Sequence, residues 1–267
     1  MNETLRVYRR LVEARVRAQW QYRASFALDA STAFVITFVE FIEVLVLFRF
    51  FPALDGWTVE EVALLYGLAG IGFALADLVG GHIEDVTTLI RSGQFDSFLL
   101  RPAGTLVQMI GADLALRRVG KVAQALVVLT WAFTRLDIDW SAATIGLTLI
   151  AIFSAAAIFL ALFIALSCVQ FFVLGAGEVA NGFTYGGHYT TQYPISIYGR
   201  WLRRTMIFGF GLAFVAYLPG LAILGKDDPL ELPEVLRYAS PAVAIAMLIG
   251  ARLIWNWSVR HYRSTGA

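Results

Sequence analysis

Apolar residues fall in long runs along this chain: Phe26 to Phe50, Val59 to Gly80, Val122 to Phe133, Ala142 to Leu174, Met206 to Leu224 and Pro241 to Trp257. A helix rises about 1.5 Å per residue and a bilayer's hydrocarbon core is roughly 30 Å thick, so about 20 such residues span it. The pattern predicts an all-α, polytopic membrane protein of six transmembrane helices, over about 26–50, 59–81, 118–135, 141–174, 205–224 and 240–258. The third run is the weakest and needs Lys121 to snorkel at one end and the helix to continue toward Trp140 at the other. The fourth is too long for one span and too short for two, and is expected to project beyond the bilayer as a single helix.

The polar positions refine this picture. Ahead of the first run, Leu5, Tyr8, Val12, Val16 and Trp20 recur every three or four residues, while Arg6, Arg9, Arg10 and Arg17 lie mostly off that face. This predicts an amphipathic helix over about 3–23, lying in the inner interface against anionic lipid. Thr58 followed by Glu61 forms a capping-box pattern that opens the second span. After that span, Ile83, Val86, Leu89 and Ile90 mark one face of a short helix that Ser92 and Gly93 stop, and Phe95, Phe98, Leu99 and Leu100 follow as an apolar knob. A second polar insert runs from Gly177 to Arg204 and is expected on the same side of the membrane, either wholly outside it or dipping in through Asn181 to Gln192. Neither repeats nor low-complexity tracts divide the chain, so residues 1–267 are expected to form a single transmembrane domain.

Composition agrees: 58% of residues are hydrophobic and 15% charged, with a mean hydropathy of +0.68. The net charge of +1 gives no global field to attract nucleic acid. The basic residues are nonetheless sorted. Arg6 to Arg23, the group Arg91, Arg101, Arg117, Arg118 and Lys121, the cluster Arg200, Arg203 and Arg204, and finally Arg260 and Arg263 occupy alternate connections. By the positive-inside rule those connections and both termini are expected to be cytoplasmic. Trp20, Trp201, Trp255 and Trp257 then fall at the inner boundary, and Trp57 and Trp140 at the outer one. The first apolar run is too long for a signal-peptide core, so it is expected to act as an uncleaved anchor.

Catalytic and metal chemistry find little support. His82, His188 and His261 lie in separate segments without a second ligand at metal spacing, and Cys168, the single cysteine, reads as a small core residue. The stretch GLAILGKD, Gly220 to Asp227, follows the phosphate-loop pattern until Asp227 stands where Ser or Thr should hold magnesium. The chain is therefore expected to be no enzyme. Ionisable groups inside spans cost about 2.5 to 3.5 kcal/mol each at mid-bilayer and call for a role. Glu40 and Glu43, three residues apart on the first span, lie roughly 20 to 25 Å from its inner edge and are candidates for a polar path. A subunit contact or partial exposure to outer water is the alternative. Asp77 and Arg252 are close enough to the inner side for Asp77 to reach the interface and Arg252 to snorkel.

The loop LIRSGQFDSFLLRPAG after the second span, with Gly93, Asp96, Leu99, Leu100, Arg101 and Pro102 in signature positions, resembles the membrane subunit of type-2 ABC exporters, in a branch with a Leu-Leu-Arg-Pro motif. YPISIYGRWLRR, Tyr193 to Arg204, and FVAYLPG, Phe214 to Gly220, resemble the same branch. The resemblance implies a permease in the bacterial plasma (inner) membrane, paired with a second identical or related permease and with separate ABC ATPase subunits that bind the ATP and magnesium. It implies coupling through Glu84, Arg91, Gln94, Phe95, Asp96, Phe98, Arg101 and Pro102, with Glu40 and Glu43 in the translocation path. The physical reading of the loop is an apolar anchor, Phe95 and Phe98, inside a charged rim. The segment from Gly225 to Glu234 is short for the re-entrant helices common in that class. The competing reading is a proton-driven secondary carrier that uses Glu40, Glu43 and Asp77, though the chain lacks the internal symmetry such carriers show.

Overall fold

The computed structural model describes residues 23–101, 104–112, 118–173 and 175–262. The expected interfacial helix, apart from Arg23, and Pro102, Arg117 and Arg263 lie outside the described residues. Within them every regular element is helical, and the one extended pairing is a two-residue bridge between Leu54 and Trp57. Four stretches are long and apolar enough to cross a membrane: Arg23–Phe50, Val59–Arg91, Ala142–Phe171 and Ser240–His261.

Helix α1 (Arg23–Phe50) is apolar on nearly every side and buries only Phe41 and Val44. A tight turn, with Asp55 and Gly56 both at positive φ, reverses the chain into α2 (Val59–Gly80). Both halves of the Thr58–Glu61 capping box form. Every residue of α2 from Val62 to Ala74 is buried, which makes it the axis of the bundle. Small residues permit this. A Cβ on Gly67 would meet Leu129 at 2.8 Å, and one on Gly72 would meet Ala155 at 2.5 Å, so both neighbouring segments press against the α2 backbone.

After a 3₁₀ turn, Gly81–Asp85, come three short helices: α3 (Val86–Arg91), α4 (Gln94–Leu99) and α5 (Thr105–Ala112). Ser92 caps α3, and Gly93, at φ +67°, turns the chain into α4 as the sequence signalled. Helix α6 (Val119–Arg135) runs beside α1 and α2 toward the Trp57 turn and, at 17 residues, reaches only about 26 Å. Helix α7 (Ala142–Ser167), capped by Ser141, continues through a 3₁₀ turn to Phe171 as one long rod between α2 and α11 (Ser240–His261).

The bundle thus has two ends. The turn end carries Trp57, and the loop end carries Gly81 to Arg101. Helix α8 (Gly177–Thr191) starts at the loop end, where Thr184 bonds Glu84, and rises until the Tyr189 hydroxyl meets Glu40 in α1. It packs on α2 and α7. The insert therefore does not lie wholly outside the spans, because α8 packs among them.

The expected straight span over 205–224 does not form. Helix α9 (Arg200–Arg204) passes through a π-helical turn, Thr205–Gly209, to Gly211 at φ +63°, and the chain then returns through Leu212–Phe214 and α10 (Tyr217–Leu224). The two arms, Arg200–Gly209 and Leu212–Leu224, are bent by 75°. Phe210 stacks on Phe183 of α8, and Gly211 faces Val243 and Met247, one to two turns into α11. Both ends of this hairpin stay at the turn end. Arg203 lies within electrostatic reach of Tyr217, which packs on Trp57 and donates to Asp228 at 2.6 Å. The Arg200–Arg204 cluster therefore sits opposite the loop end, not on its side as the charge pattern suggested. Its backbone bends by 75° at Gly211, and charge counting along a sequence does not register such a bend.

Candidate functional site

Two constellations bear on function. The first is the loop-end protrusion. Gln170, fully buried at the foot of α7, accepts from the Thr87 amide at 2.9 Å and its hydroxyl at 2.7 Å, and donates to the Glu84 carbonyl at 2.9 Å. The Glu84 carboxylate accepts from Thr184 of α8 at 3.0 Å. One turn of chain is thereby tied to two long helices at once. Phe95 is 0% exposed and packs against Phe98, Phe171 and Tyr262, while Tyr262 donates to Asp96 at 2.9 Å.

The knob expected to face a partner therefore faces inward. Phe95 and Phe98 fix the protrusion to the bundle because aromatic rings this large gain most by leaving water. What remains outside is a different set: Arg91, Gln94, Leu99, Leu100 and Arg101 are exposed, Leu100 by 87%. The Arg101 guanidinium rests over the Phe98 ring, 5.7 Å from its centre.

The second constellation is a cavity of about 470 Å³ between α1, α2, α6 and α8. One face of α1 lines it with Asp29, Thr32, Ala33, Ile36, Thr37 and Glu40, a three-and-four spacing. Opposite stand Tyr66, Phe73, Gln124, Tyr185, His188 and Tyr189. Glu40 accepts from Tyr189 at 3.1 Å, and Tyr66 donates to the Thr37 carbonyl at 3.0 Å. His188 stacks on Phe73 with ring centres 4.1 Å apart. Glu43, exposed on the same helix, does not line the cavity.

Below the cavity the Asp77 carboxylate, 0% exposed, contacts Arg118 directly and Lys121 at 3.1 Å. Sequence reasoning set Asp77 free to reach the interface. Instead it is the buried counter-charge that holds two cations at the start of α6. Arg252 is exposed on α11, and Cys168 is a buried free thiol. Lys226, from the phosphate-loop look-alike, binds the Glu61 carboxylate at 2.7 Å and the Gly56 carbonyl at 2.8 Å. Among the described residues no cluster of three His, Cys, Asp or Glu side chains is placed to hold a metal ion.

Three contributors escaped sequence reading. Asp29 carried a usable signal, since it stands eleven residues before Glu40 and hence on the same face. Gln170 was a lone polar group in an apolar run. Tyr189 carried none, because nothing local ties it to a carboxylate 149 residues away.

The sequence pattern described as ABC-2 family transporter protein matches residues 34–266. The chain belongs to the ABC-2 transporter family. No curated protein and no solved structure matches it. For an ABC-2 family membrane protein the two constellations have complementary character: one is a rigid projection outside the apolar bundle, the other a polar recess within it.

Proposed function

We propose that this ABC-2 protein is the permease subunit of an ATP-driven exporter in a bacterial inner membrane, of the branch marked by Leu99, Leu100, Arg101 and Pro102. It works as a dimer, and separate subunits bind ATP and magnesium and hydrolyse the nucleotide. Six crossings are made by α1, α2, α6, α7, α8 and α11, with both termini cytoplasmic and the loop end facing the cytoplasm. The hairpin around Gly211 enters from the outer face and leaves by it.

The observation that supports this reading most is the anchored protrusion. A docking loop can drive helices only if it is stiff where it joins them, and Gln170, Glu84 and Phe95 supply that stiffness. Leu99, Leu100 and Arg101 present an apolar centre with a charged edge to a groove on the ATPase. Closure of the ATPases then displaces the protrusion, and α7 and α8 carry the movement to the cavity. In this reading Glu40 belongs to the path and Glu43 flanks it.

The test uses the chain co-purified with its partner ATPase, in nanodiscs. Arg101→Glu and Leu100→Asp are expected to lower permease-dependent ATP turnover by about tenfold, equivalent to roughly 1.4 kcal/mol, without lowering the melting temperature of the chain. Unchanged turnover and assembly in both variants refutes the coupling assignment.

A further inference from the structure

The cavity beside Glu40 raises a question of charge. Arg118 and Lys121 line it, but both are committed to Asp77 directly behind. Two cations against the three carboxylates Asp29, Glu40 and Asp77 leave one negative charge. Lys121 acts on Glu40 only from a distance, and no described cation forms an ion pair with it. Its one hydrogen-bond partner is neutral Tyr189, and among the described residues no cation lies within 4.0 Å of it. A carboxylate so placed within a membrane span is costly unless a positive group joins it.

The walls suit an organic positive group. Lys121 already rests 5.9 Å from the ring centres of both Phe73 and Tyr185, so this aromatic lining accepts cationic charge. Tyr66 and Tyr189, beside Glu40, offer the same surface to a ligand. Gln124, 2% exposed, closes the wall behind Tyr66, and its amide is turned toward the Tyr66 hydroxyl. The volume lies in the range of small-molecule sites. Asp29, exposed nearer the start of α1, stands about 16 Å along the same helix face from Glu40 and draws cations toward the recess.

We propose that this cavity binds an amphipathic monovalent organic cation, its charge against Glu40 beside Tyr66 and Tyr189. That the cation is cargo rests on the permease reading; the binding does not.

The test measures binding alone, with the full chain in nanodiscs and no ATPase. Rhodamine 123 serves as the cation, fluorescein as an anion of the same ring skeleton, and empty nanodiscs correct for partition into lipid. Fluorescence anisotropy is expected to show saturable rhodamine binding at least about tenfold tighter than that of fluorescein. Glu40→Gln should weaken it about tenfold, Glu40→Asp less, and Glu43→Gln by less than about twofold. A melting curve for each variant separates lost binding from lost folding. Equal affinity for the two dyes, no saturable rhodamine binding, or binding indifferent to Glu40→Gln overturns the proposal. Loss of ATPase coupling with rhodamine binding intact would sink the permease reading and leave this one standing.

Discussion

Gln170 holds Thr87 twice, accepting from its backbone amide at 2.9 Å and from its hydroxyl at 2.7 Å. The same side chain donates to the Glu84 carbonyl, so one buried amide satisfies the exposed backbone groups of a helix end where α2 gives way to the protrusion. Gln170→Leu keeps the volume and strands those groups, at a cost of about 1–3 kcal/mol. Amide exchange over residues 84–91, followed by mass spectrometry, should accelerate by about 5- to 150-fold by that estimate. Gln170→Glu keeps the acceptor and loses the donor, and should fall between.

Asp77 is shared by Arg118 and Lys121, whose side chains are 17% and 27% exposed. Asp77→Asn leaves two neighbouring cations with no counter-charge. Breaking a buried pair from one side costs about 3–5 kcal/mol, and the partial exposure of the cations brings the expectation toward the lower figure. Thermal unfolding in detergent should show the loss, and adding Arg118→Met and Lys121→Met to Asp77→Leu should recover most of it.

Gly72 lets α7 press on α2. In Gly72→Ala the new methyl would lie 2.5 Å from the Ala155 Cβ and 3.1 Å from its carbonyl carbon, so the helices must part. Overpacking of this kind costs about 1–3 kcal/mol. Ala155→Gly in the same chain removes the nearer clash and should restore part of the stability, a coupling that a double-mutant cycle reads directly.

Lys226 joins the turn end together through Glu61 at 2.7 Å while its ammonium sits 5.0 Å from the centre of the Trp57 ring. The pair is only partly buried, so Lys226→Met should lower stability by about 0.2–1 kcal/mol, and the difference from the parent chain should shrink as salt is raised.

What the sequence made legible was whatever depends on neighbours along the chain. The Thr58–Glu61 cap, the stop at Ser92 and Gly93, and the single long rod from Ala142 follow from local pattern, and all appear. The candidate site was half legible. Glu40 stood out because a carboxylate in an apolar run has no local excuse, whereas its separation from Glu43 depends on where α8 lies. Helix α8 itself was hidden by composition: Thr184, His188 and Tyr189 look like a water-facing loop until Glu84, Phe73 and Glu40, each far away in the chain, are seen to receive them. Phe95 was misjudged for the opposite reason. An apolar residue between charges reads as a surface anchor, and the arrival of Phe171 and Tyr262 from distant parts of the chain turns it into a core residue.

The reversal at Gly211 frees one part of the molecule from a rule that binds the rest. A rod such as α2 or α7 must match the thickness of the apolar layer it traverses, and mismatch is corrected by tilting or by deforming the lipid. In the proposed arrangement the element around Gly211 enters and leaves by one face and has no such length to satisfy. The depth of its tip is set by what it touches, Met247, Val243 and Phe183, so the reach of this plug can be tuned by side-chain size alone, independently of the bilayer around it.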